Sequence, residues 1–249
     1  MSGESRPFRI GTWNLDRSGI RGCDRLQPQI EKLLQFNADV WILTETHTSN
    51  ALPGYTSLAS SQDTTFHKEG ESCAAIWSRY PLKKIETVDP TSNVCAELES
   101  SFGPMLVYGT IITYHADGVS EGLAQPWERH RQAVLEQTAE WRALRQRYPD
   151  HLFCVAGDFN MNLDGRRWYG VQDAKENLLK GLEAADLYCA TRDDLQAPPY
   201  NLSRSTVNHI CLSKELKATT PVEVWEGTVA GFQLSDHNGI LVEIFKDRG

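Results

Sequence analysis

Apolar residues recur along the chain in short runs of β-branched and aromatic residues, each bounded by Gly, Pro, Asn or Asp. Runs of this length and composition predict β-strands. The predicted strands are FRIGTWNL (8–15), ADVWILTE (38–45), SCAAIWS (72–78), MLVYGTIITY (105–114), HLFCVAGDF (151–159), VNHICLS (207–213), PVEVWEG (221–227) and GILVEIF (239–245). The chain is therefore expected to be rich in strands.

Three segments between these strands have the spacing of amphipathic helices. The first begins at an N-cap, Asp24, tolerates Pro28 in its first turn and carries apolar residues at positions 26, 30, 33 and 34. The second starts near Trp127 and is stopped by Pro149, and the third covers roughly 174–185. Strands interrupted by such helices predict a mixed α/β fold with helices outside packed sheets, without giving its topology.

Composition sets the class of protein. Of 249 residues, 40% are apolar and 23% are charged, and no apolar run is long enough to cross a bilayer. We find no linker, repeat or secretory signal, so we expect one domain over 1–249 and a cytoplasmic location. Six widely spaced cysteines, Cys23 among them, predict reduced thiols and not a disulfide framework or a zinc site.

The formal net charge of -8 argues against a chain that coats nucleic acid by bulk electrostatics. It does not exclude nucleic acid as a substrate, because a local basic rim and bound metal ions can offset an acidic pocket. Arginines cluster in two places, 129–147 and 166–167, and a solvated helix face is the simpler interpretation of the first cluster.

Polar residues stand where the apolar strands end. Asp158 and Asn160 follow one buried run, and residues two apart on an extended chain point to the same side. Asn14 and Asp16 repeat this spacing, and Glu45 ends a third run. The pair Asp236 and His237 immediately precedes the last strand. If these ends converge, they form a pocket of carboxylates, amides and one histidine.

Crowded carboxylates repel one another unless a cation lies among them, and oxygen ligands favour a hard ion such as Mg²⁺ or Mn²⁺. A histidine beside that ion can transfer protons, and amide N–H groups can hold an anionic oxygen. Together these groups suit metal-assisted attack of water on a phosphate ester. Each feature alone is common in turns and solvated strand ends, so the interpretation depends on their joint occurrence.

The motifs resemble those of the endonuclease/exonuclease/phosphatase superfamily, in the family's order and over about residues 8–245. The matching segments are TWNLD (12–16), ADVWILTET (38–46), SCAAIWSRYPL (72–82), TYH (113–115), GDFN (157–160), STVNHICLS (205–213) and SDHNGI (235–240). The resemblance implies a four-layer α/β/β/α sandwich of two packed mixed β-sheets flanked by helices. It also implies a Mg²⁺-dependent phosphoesterase, with Mn²⁺ as an alternative ion.

The resemblance assigns roles to the residues at matching positions. It implies that Glu45 binds the metal, with Asn14 and also Asp16 and Asp236 around it.

Of the other residues, Asp158 would position or activate the attacking water and Asn160 would hold the phosphate, while His237 matches the catalytic histidine. Either Tyr114 or His115 matches a position that contacts the phosphate. We favour His115, because a cationic donor suits an anionic oxygen.

Asn208 departs from the pattern. Many members have an aspartate there, which accepts a hydrogen bond from the catalytic histidine, whereas an asparagine brings no charge and can present either its carbonyl or its N–H₂ group. In serine proteases the corresponding Asp-to-Asn change lowers turnover about 10⁴-fold. Three interpretations follow: a natural enzyme that is weak or differently tuned, a deliberately weakened variant, or a member that binds without cleaving. The neighbouring His209 is expected to pack locally.

The first hypothesis for the substrate is DNA or RNA. Trp168 and Tyr169 follow GDFNMNLDG together with Arg166 and Arg167, so an aromatic ring there could stack on a base and an arginine could contact a phosphate. The alternatives are a small-molecule or lipid-head-group phosphoesterase and a non-catalytic module that binds a phosphate-bearing partner. We expect no membrane contact, because no basic amphipathic helix is visible, and the oligomeric state stays open.

Overall fold

The computed structural model describes residues 7–17 and 25–246, and two β-sheets of six or more strands dominate it. The strands are β1 (Phe8–Asn14), β2 (Val40–His47), β3 (Thr56–Ala59), β4 (Glu71–Ser78), β5 (Lys83–Ile85), β6 (Asn93–Ser100), β7 (Gly103–Ile111), β8 (Leu152–Asp158), β9 (Leu187–Cys189), β10 (Asn208–Ser213), β11 (Leu216–Ala218), β12 (Glu223–Trp225), β13 (Thr228–Val229), β14 (Phe232–Gln233) and β15 (Gly239–Lys246). The first sheet has the order β11-β15-β1-β2-β4-β3, with β12 also paired to β15. The second has the order β5-β6-β7-β8-β10-β9.

In the described part of the chain, three helices connect or flank these strands: α1 (Leu26–Phe36), α2 (Glu128–Arg147) and α3 (Gln172–Ala184). All three predicted helices are confirmed to within a few residues. The predicted N-cap Asp24 and the cysteine Cys23 lie outside the described residues. Helix α1 joins the parallel pair β1 and β2, and α2 joins the parallel pair β7 and β8, as parallel strands require a crossover connection.

Successive side chains of a strand point to opposite faces of its sheet, and the apolar ones form three layers. In β2, Val40 and Ile42 face the space between the two sheets, while Trp41 and Leu43 face α1 on the other side. In β8, Cys154 belongs to the layer between the sheets and Phe153 packs with side chains of α2 and α3. Both faces of the central strands are thus buried, which explains their nearly continuous apolar runs. The predicted α/β/β/α order of layers is confirmed.

One long strand, β6, was not predicted from the sequence. Its residues NVCAELES include two glutamates and an alanine, which are depleted in strands, so composition gives a weak signal. The pairing of β6 with β7 through eight consecutive residues makes the strand. Tertiary pairing therefore overrides local preference here.

The five described cysteines are free, and three of them are buried, as predicted for reduced thiols. None of the helices in the described part of the chain is long and apolar enough to cross a membrane.

Candidate active site

The carboxyl ends of the two parallel strand pairs meet at one end of the sandwich, and three polar side chains come into contact there. Asn14 ends β1, Glu45 lies near the end of β2, and Asp158 ends β8 in the opposite sheet. The Asn14 amide Nδ2 donates to Glu45 Oε1 and to Asp158 Oδ2, each at 3.1 Å. A single neutral amide therefore bridges two carboxylates that come from different sheets.

Glu45 is held in an unusual backbone conformation. Its φ is +48° although it lies within a strand, and such left-handed values in a residue other than glycine cluster at functional sites. Burial raises the pKa of Glu45, and the hydrogen bond from Asn14 and the charge of Arg17 only partly oppose this. Arg17 Nε lies 3.4 Å from Glu45 Oε2. The site thus contains a desolvated carboxylate with incomplete charge compensation.

Gly157, which precedes Asp158, is required by close contact between strands. A Cβ atom at this position would lie 2.0 Å from the backbone carbonyl oxygen of Thr110, and the φ of +141° also favours glycine. The glycine of the GDFN segment therefore lets β8 run close beside β7 and place Asp158 at the sheet edge.

His237 reaches the carboxylates from the loop that precedes β15. Its Nε2 lies 3.8 Å from Asp158 Oδ2 and 3.7 Å from Asp236 Oδ1. The loop is fixed from both sides, because Trp13 Nε1 donates to the His237 carbonyl at 2.9 Å and the Ser235 hydroxyl accepts from the His237 N–H at 2.9 Å. The imidazole is therefore positioned beside Asp158.

Asn208 begins β10 directly opposite Asp158 and lies behind the imidazole. Its Nδ2 donates to the Asn238 carbonyl at 2.8 Å and is 3.4 Å from His237 Nδ1, while its buried Oδ1 has no hydrogen-bond partner among the described residues. The amide thus presents a donor to the ring. This contact fits an imidazole in which Nδ1 accepts and Nε2 carries the proton.

His209 takes no part in this arrangement. It is buried, its Nε2 is 3.0 Å from the Met161 carbonyl, and its Nδ1 is 3.3 Å from the Thr191 hydroxyl. These contacts confirm the prediction that His209 packs locally.

Asp16 and Asn160 lie beyond the ends of β1 and β8, so strand alternation does not fix their positions, and their assigned roles stay predictions. Asp16 lies in a turn after β1 with φ of +50°, and its carboxylate contacts Arg25 Nη1 at 2.7 Å instead of the two site carboxylates. Asn160 follows β8 with φ of +48° and lines the pocket around His237 by way of a turn. Its backbone N–H donates to Asp158 Oδ1 at 2.9 Å.

A cavity of about 300 Å³, which we call the cup, opens beside His237. Tyr114, Trp168 and Tyr169 line the cup, together with Arg204. His115 is not part of this lining, and its Nδ1 lies 3.0 Å from the Tyr169 hydroxyl. The structure thus places Tyr114, not the favoured His115, beside the site.

Sequence reasoning missed two cations at this site. Arg17 directly follows the TWNLD segment, and Arg204 lies just before STVNHICLS. The Arg204 guanidinium carbon is 5.9 Å from the Trp168 ring centroid. Proximity to the motifs was the only available signal, since single arginines in loops are common.

The model of the Endonuclease/Exonuclease/phosphatase family matches residues 11–237, which includes every strand end described above. The chain belongs to this family. Family members are hydrolytic phosphoesterases and nucleases. The match therefore confirms the family identified from the order of the motifs.

Solved structures share the family fold at low sequence identity. The 3′ phosphatase NExo from Neisseria bound to a product DNA hairpin is 18% identical, covers 96% of this chain and 99% of its own, and has a TM-score of 0.67. The human Nocturnin catalytic domain with bound sulfate is 18% identical, with coverages of 97% and 94% and a TM-score of 0.67. The endonuclease domain of TRAS1, a telomere-specific non-LTR retrotransposon, is 16% identical, with coverages of 96% and 98% and a TM-score of 0.64. No curated protein matches the chain.

Proposed function

We propose that the chain is a Mg²⁺-dependent phosphodiester hydrolase that acts on DNA or RNA. The observation that carries this proposal is the contact of Glu45 and Asp158 with the single amide of Asn14, with His237 Nε2 3.8 Å from Asp158. Family membership supports phosphoester hydrolysis, and the metal and the substrate are the parts that we add.

The residues present fit a hard divalent cation. Glu45 is desolvated and faces a second carboxylate, and oxygen is the ligand that Mg²⁺ prefers. Within residues 7–17 and 25–246, no group of three or more His, Cys, Asp and Glu side chains is arranged to hold a metal. The proposed fit therefore rests on Glu45 with Asp158, since Mg²⁺ can be bound by one or two carboxylates together with several waters. Mn²⁺ has similar ligand preferences.

Glu45 would bind the ion, and Asp236 at the rim is a further ligand candidate. The Nδ2 of Asn14 holds both carboxylates, and its Oδ1 accepts from the Asp16 backbone N–H at 2.8 Å. We therefore assign Asn14 to positioning. A bound Mg²⁺ would polarise the phosphate and stabilise its developing negative charge.

Proton transfer is assigned from the tautomer of His237. If the proton of the neutral ring is on Nε2, this atom donates a hydrogen bond to a phosphate oxygen, keeps its proton and does not act as the base. Asp158 Oδ2, on the other side of this space, is then the group that accepts the proton of the attacking water. Asn160 and Tyr114 line the same cup and would hold the phosphate.

The aromatic and cationic wall of the cup favours a nucleic acid. Trp168 is 46% exposed and Tyr114 is 50% exposed, so both rings have free faces on which a base can stack. Arg204 beside Trp168 adds a phosphate donor. The DNA hairpin bound by the Neisseria 3′ phosphatase supports the same choice.

The test is a parallel assay with single-stranded DNA, duplex DNA, RNA and inositol phosphates, each with Mg²⁺, Mn²⁺ or EDTA. We expect Mg²⁺-dependent cleavage of at least one nucleic acid, abolished by EDTA and lowered about 10³-fold in Glu45→Gln. The matched control Glu31→Gln removes an exposed carboxylate from α1 and should retain full activity.

Two outcomes would contradict the proposal. Turnover of inositol phosphates alone would support a small-molecule phosphoesterase. Cleavage of no substrate by both the chain and its Asn208→Asp variant would support a binding module.

A further inference from the structure

A second, larger cavity lies behind the cup. Its volume is about 690 Å³, and it is formed by the loop 162–170, the first turns of α3 and Arg192. Trp168 lines both this cavity and the cup, so the two spaces adjoin at this residue. We call the larger space the rear cavity.

The rear cavity is cationic in a chain whose formal net charge is -8. Arg166, Arg167, Lys175 and Arg192 line it, against one carboxylate, Glu176. Arg166 is already neutralised by Asp194, since its Nη2 lies 2.7 Å from Asp194 Oδ2.

The three remaining cations have no salt-bridge partner among the described residues. Arg167 and Arg192 are exposed. Lys175 is partly buried, and this burial lowers its pKa. Its Nζ donates one hydrogen bond, at 2.9 Å, to the side-chain carbonyl oxygen of Asn162. Two of its three N–H donors are thus available to an anion. Unpaired cations around a concave space provide a site for an anion.

The loop that forms the rear cavity is preorganised by Asn162. This buried amide donates to the Arg166 carbonyl at 2.9 Å, and its own carbonyl accepts from the Tyr169 N–H at 2.8 Å as well as from Lys175. The amide also bonds to the Asp164 carboxylate. One side chain therefore fixes both ends of the turn that carries Arg166, Arg167 and Trp168, so binding need not order the loop.

We propose that the rear cavity binds a backbone phosphate of the nucleic-acid strand that flanks the scissile phosphate, with Arg167, Lys175 and Arg192 as its donors and Trp168 as the stacking platform between the two phosphate sites. This inference rests on the proposed function, because it extends that substrate beyond the cup. A substrate with only one phosphate, small enough to fit the cup, makes no use of the rear cavity.

The test compares a polymeric with a minimal substrate in Arg167→Gln/Arg192→Gln. Both side chains are exposed, so the variant should fold normally, which a thermal melt would check. With a single-stranded 12-mer we expect KM to rise about tenfold. In a plot of the logarithm of the association constant against the logarithm of the salt concentration, we expect the slope to become shallower by about 0.7, as for the loss of one phosphate contact. With bis-p-nitrophenyl phosphate we expect kcat/KM to be unchanged.

The matched control is Arg142→Gln/Arg147→Gln. It removes the same charge from exposed positions near the carboxyl end of α2, which precedes the start of β8 and so lies at the end of the sandwich away from Asp158. An equal effect of both double variants on the 12-mer would overturn the rear cavity as a site, because it would reflect net charge alone. An equal loss with the minimal substrate would overturn it as well.

Binding of a fluorescein-labelled 12-mer in EDTA separates this inference from the proposed function. If the chain cleaves nothing but binds the 12-mer, and the Arg167/Arg192 variant alone loses that binding, the rear cavity stands and the hydrolase proposal fails. If the chain cleaves the 12-mer and this variant behaves as the Arg142/Arg147 control, the hydrolase proposal stands and the rear cavity fails.

Discussion

Two fully buried asparagines lie on opposite sides of the candidate active site, and their hydrogen bonding differs. Both polar ends of Asn14 are engaged, with Oδ1 accepting from a backbone N–H and Nδ2 bridging two carboxylates. Within residues 7–17 and 25–246, Asn208 forms hydrogen bonds through Nδ2 but not through its buried Oδ1. Leaving such an acceptor unpaired costs about 1–3 kcal/mol.

This difference separates the two halves of the site. The carboxylate half, around Asn14, is locked by reciprocal contacts between the two sheets. The histidine half is held mainly through the backbone of its loop, and the contact from Asn208 to His237 Nδ1 is long, at 3.4 Å. We infer that substitutions in the carboxylate half break hydrogen bonds that are already formed. A substitution at Asn208, in contrast, can strengthen the hydrogen bonding of His237.

Of substitutions at the two asparagines, Asn14→Ala is expected to have the larger effect. Without the bridging amide, Glu45 and Asp158 lose their shared donor, and their mutual repulsion would displace both from the positions that the reaction needs. We expect kcat to fall about 10²-fold, as for other small displacements of catalytic groups. Steady-state hydrolysis of bis-p-nitrophenyl phosphate with Mg²⁺ measures this.

The control for Asn14 is Asn50→Ala, another buried asparagine, whose Oδ1 accepts from the His47 backbone N–H. It should cost stability without a comparable loss of kcat. If Asn14→Ala retained the activity of the unaltered chain, the assigned positioning role of Asn14 would be wrong.

A smaller effect, of opposite sign, is expected for Asn208→Asp. The carboxylate would accept from Nδ1–H of His237 and stabilise the imidazolium, which can then donate from Nε2 with a full charge. We expect hydrolysis to rise about tenfold or more. The new carboxylate would also face the Asn238 carbonyl without a donor between them, so the free energy of unfolding should fall by about 1–2 kcal/mol.

Hydrolysis rates and urea unfolding, measured on the same preparation, test both parts of this prediction. Asn208→Leu is the control, because it removes every polar contact to the imidazole and should not raise the rate. No gain in rate from the aspartate, with the fold intact, would refute the role of residue 208 in orienting His237.

The sequence could predict which strand ends carry polar residues but not where each strand stops. Alternation correctly assigns the inner and outer faces of β2 and β8, because their side chains are fixed by packing on both sides. It fails for Asp16 and Asn160, whose backbones turn into the left-handed region immediately after the strand. Which of Tyr114 and His115 lines the cup also depends on a turn, and such conformations arise from long-range contacts.

The orientation of the Asn208 amide could not be predicted from the sequence either. Both orientations are compatible with a histidine neighbour, and the choice is made by the carbonyl of Asn238, thirty positions further along the chain, which requires a donor. The rear cavity likewise depends on Arg192, which is distant in sequence from the loop 162–170.

The smallest effect concerns the pH dependence of stability in the metal-free protein. Burial raises the pKa of Glu45 above that of a glutamate in the unfolded chain, so the folded state binds this proton more tightly. The resulting stabilisation is complete below the unfolded pKa of about 4.3 and is lost as the pH rises through the folded pKa. At neutral pH in EDTA the ionised Glu45 therefore destabilises the fold relative to Glu45→Gln. Urea unfolding of both proteins from pH 4 to pH 8 should show their difference in unfolding free energy changing in this window and reaching a plateau above it.

Adding Mg²⁺ at pH 7 should stabilise the unaltered chain more than Glu45→Gln, because only the carboxylate attracts the cation. The two halves of the site would then differ in charge as well. In the carboxylate half the hydrogen bonds of Asn14 are all formed, but a cation is needed to balance the carboxylates. Equal stabilisation of both proteins by Mg²⁺ would show that Glu45 does not bind the metal, whatever its pKa.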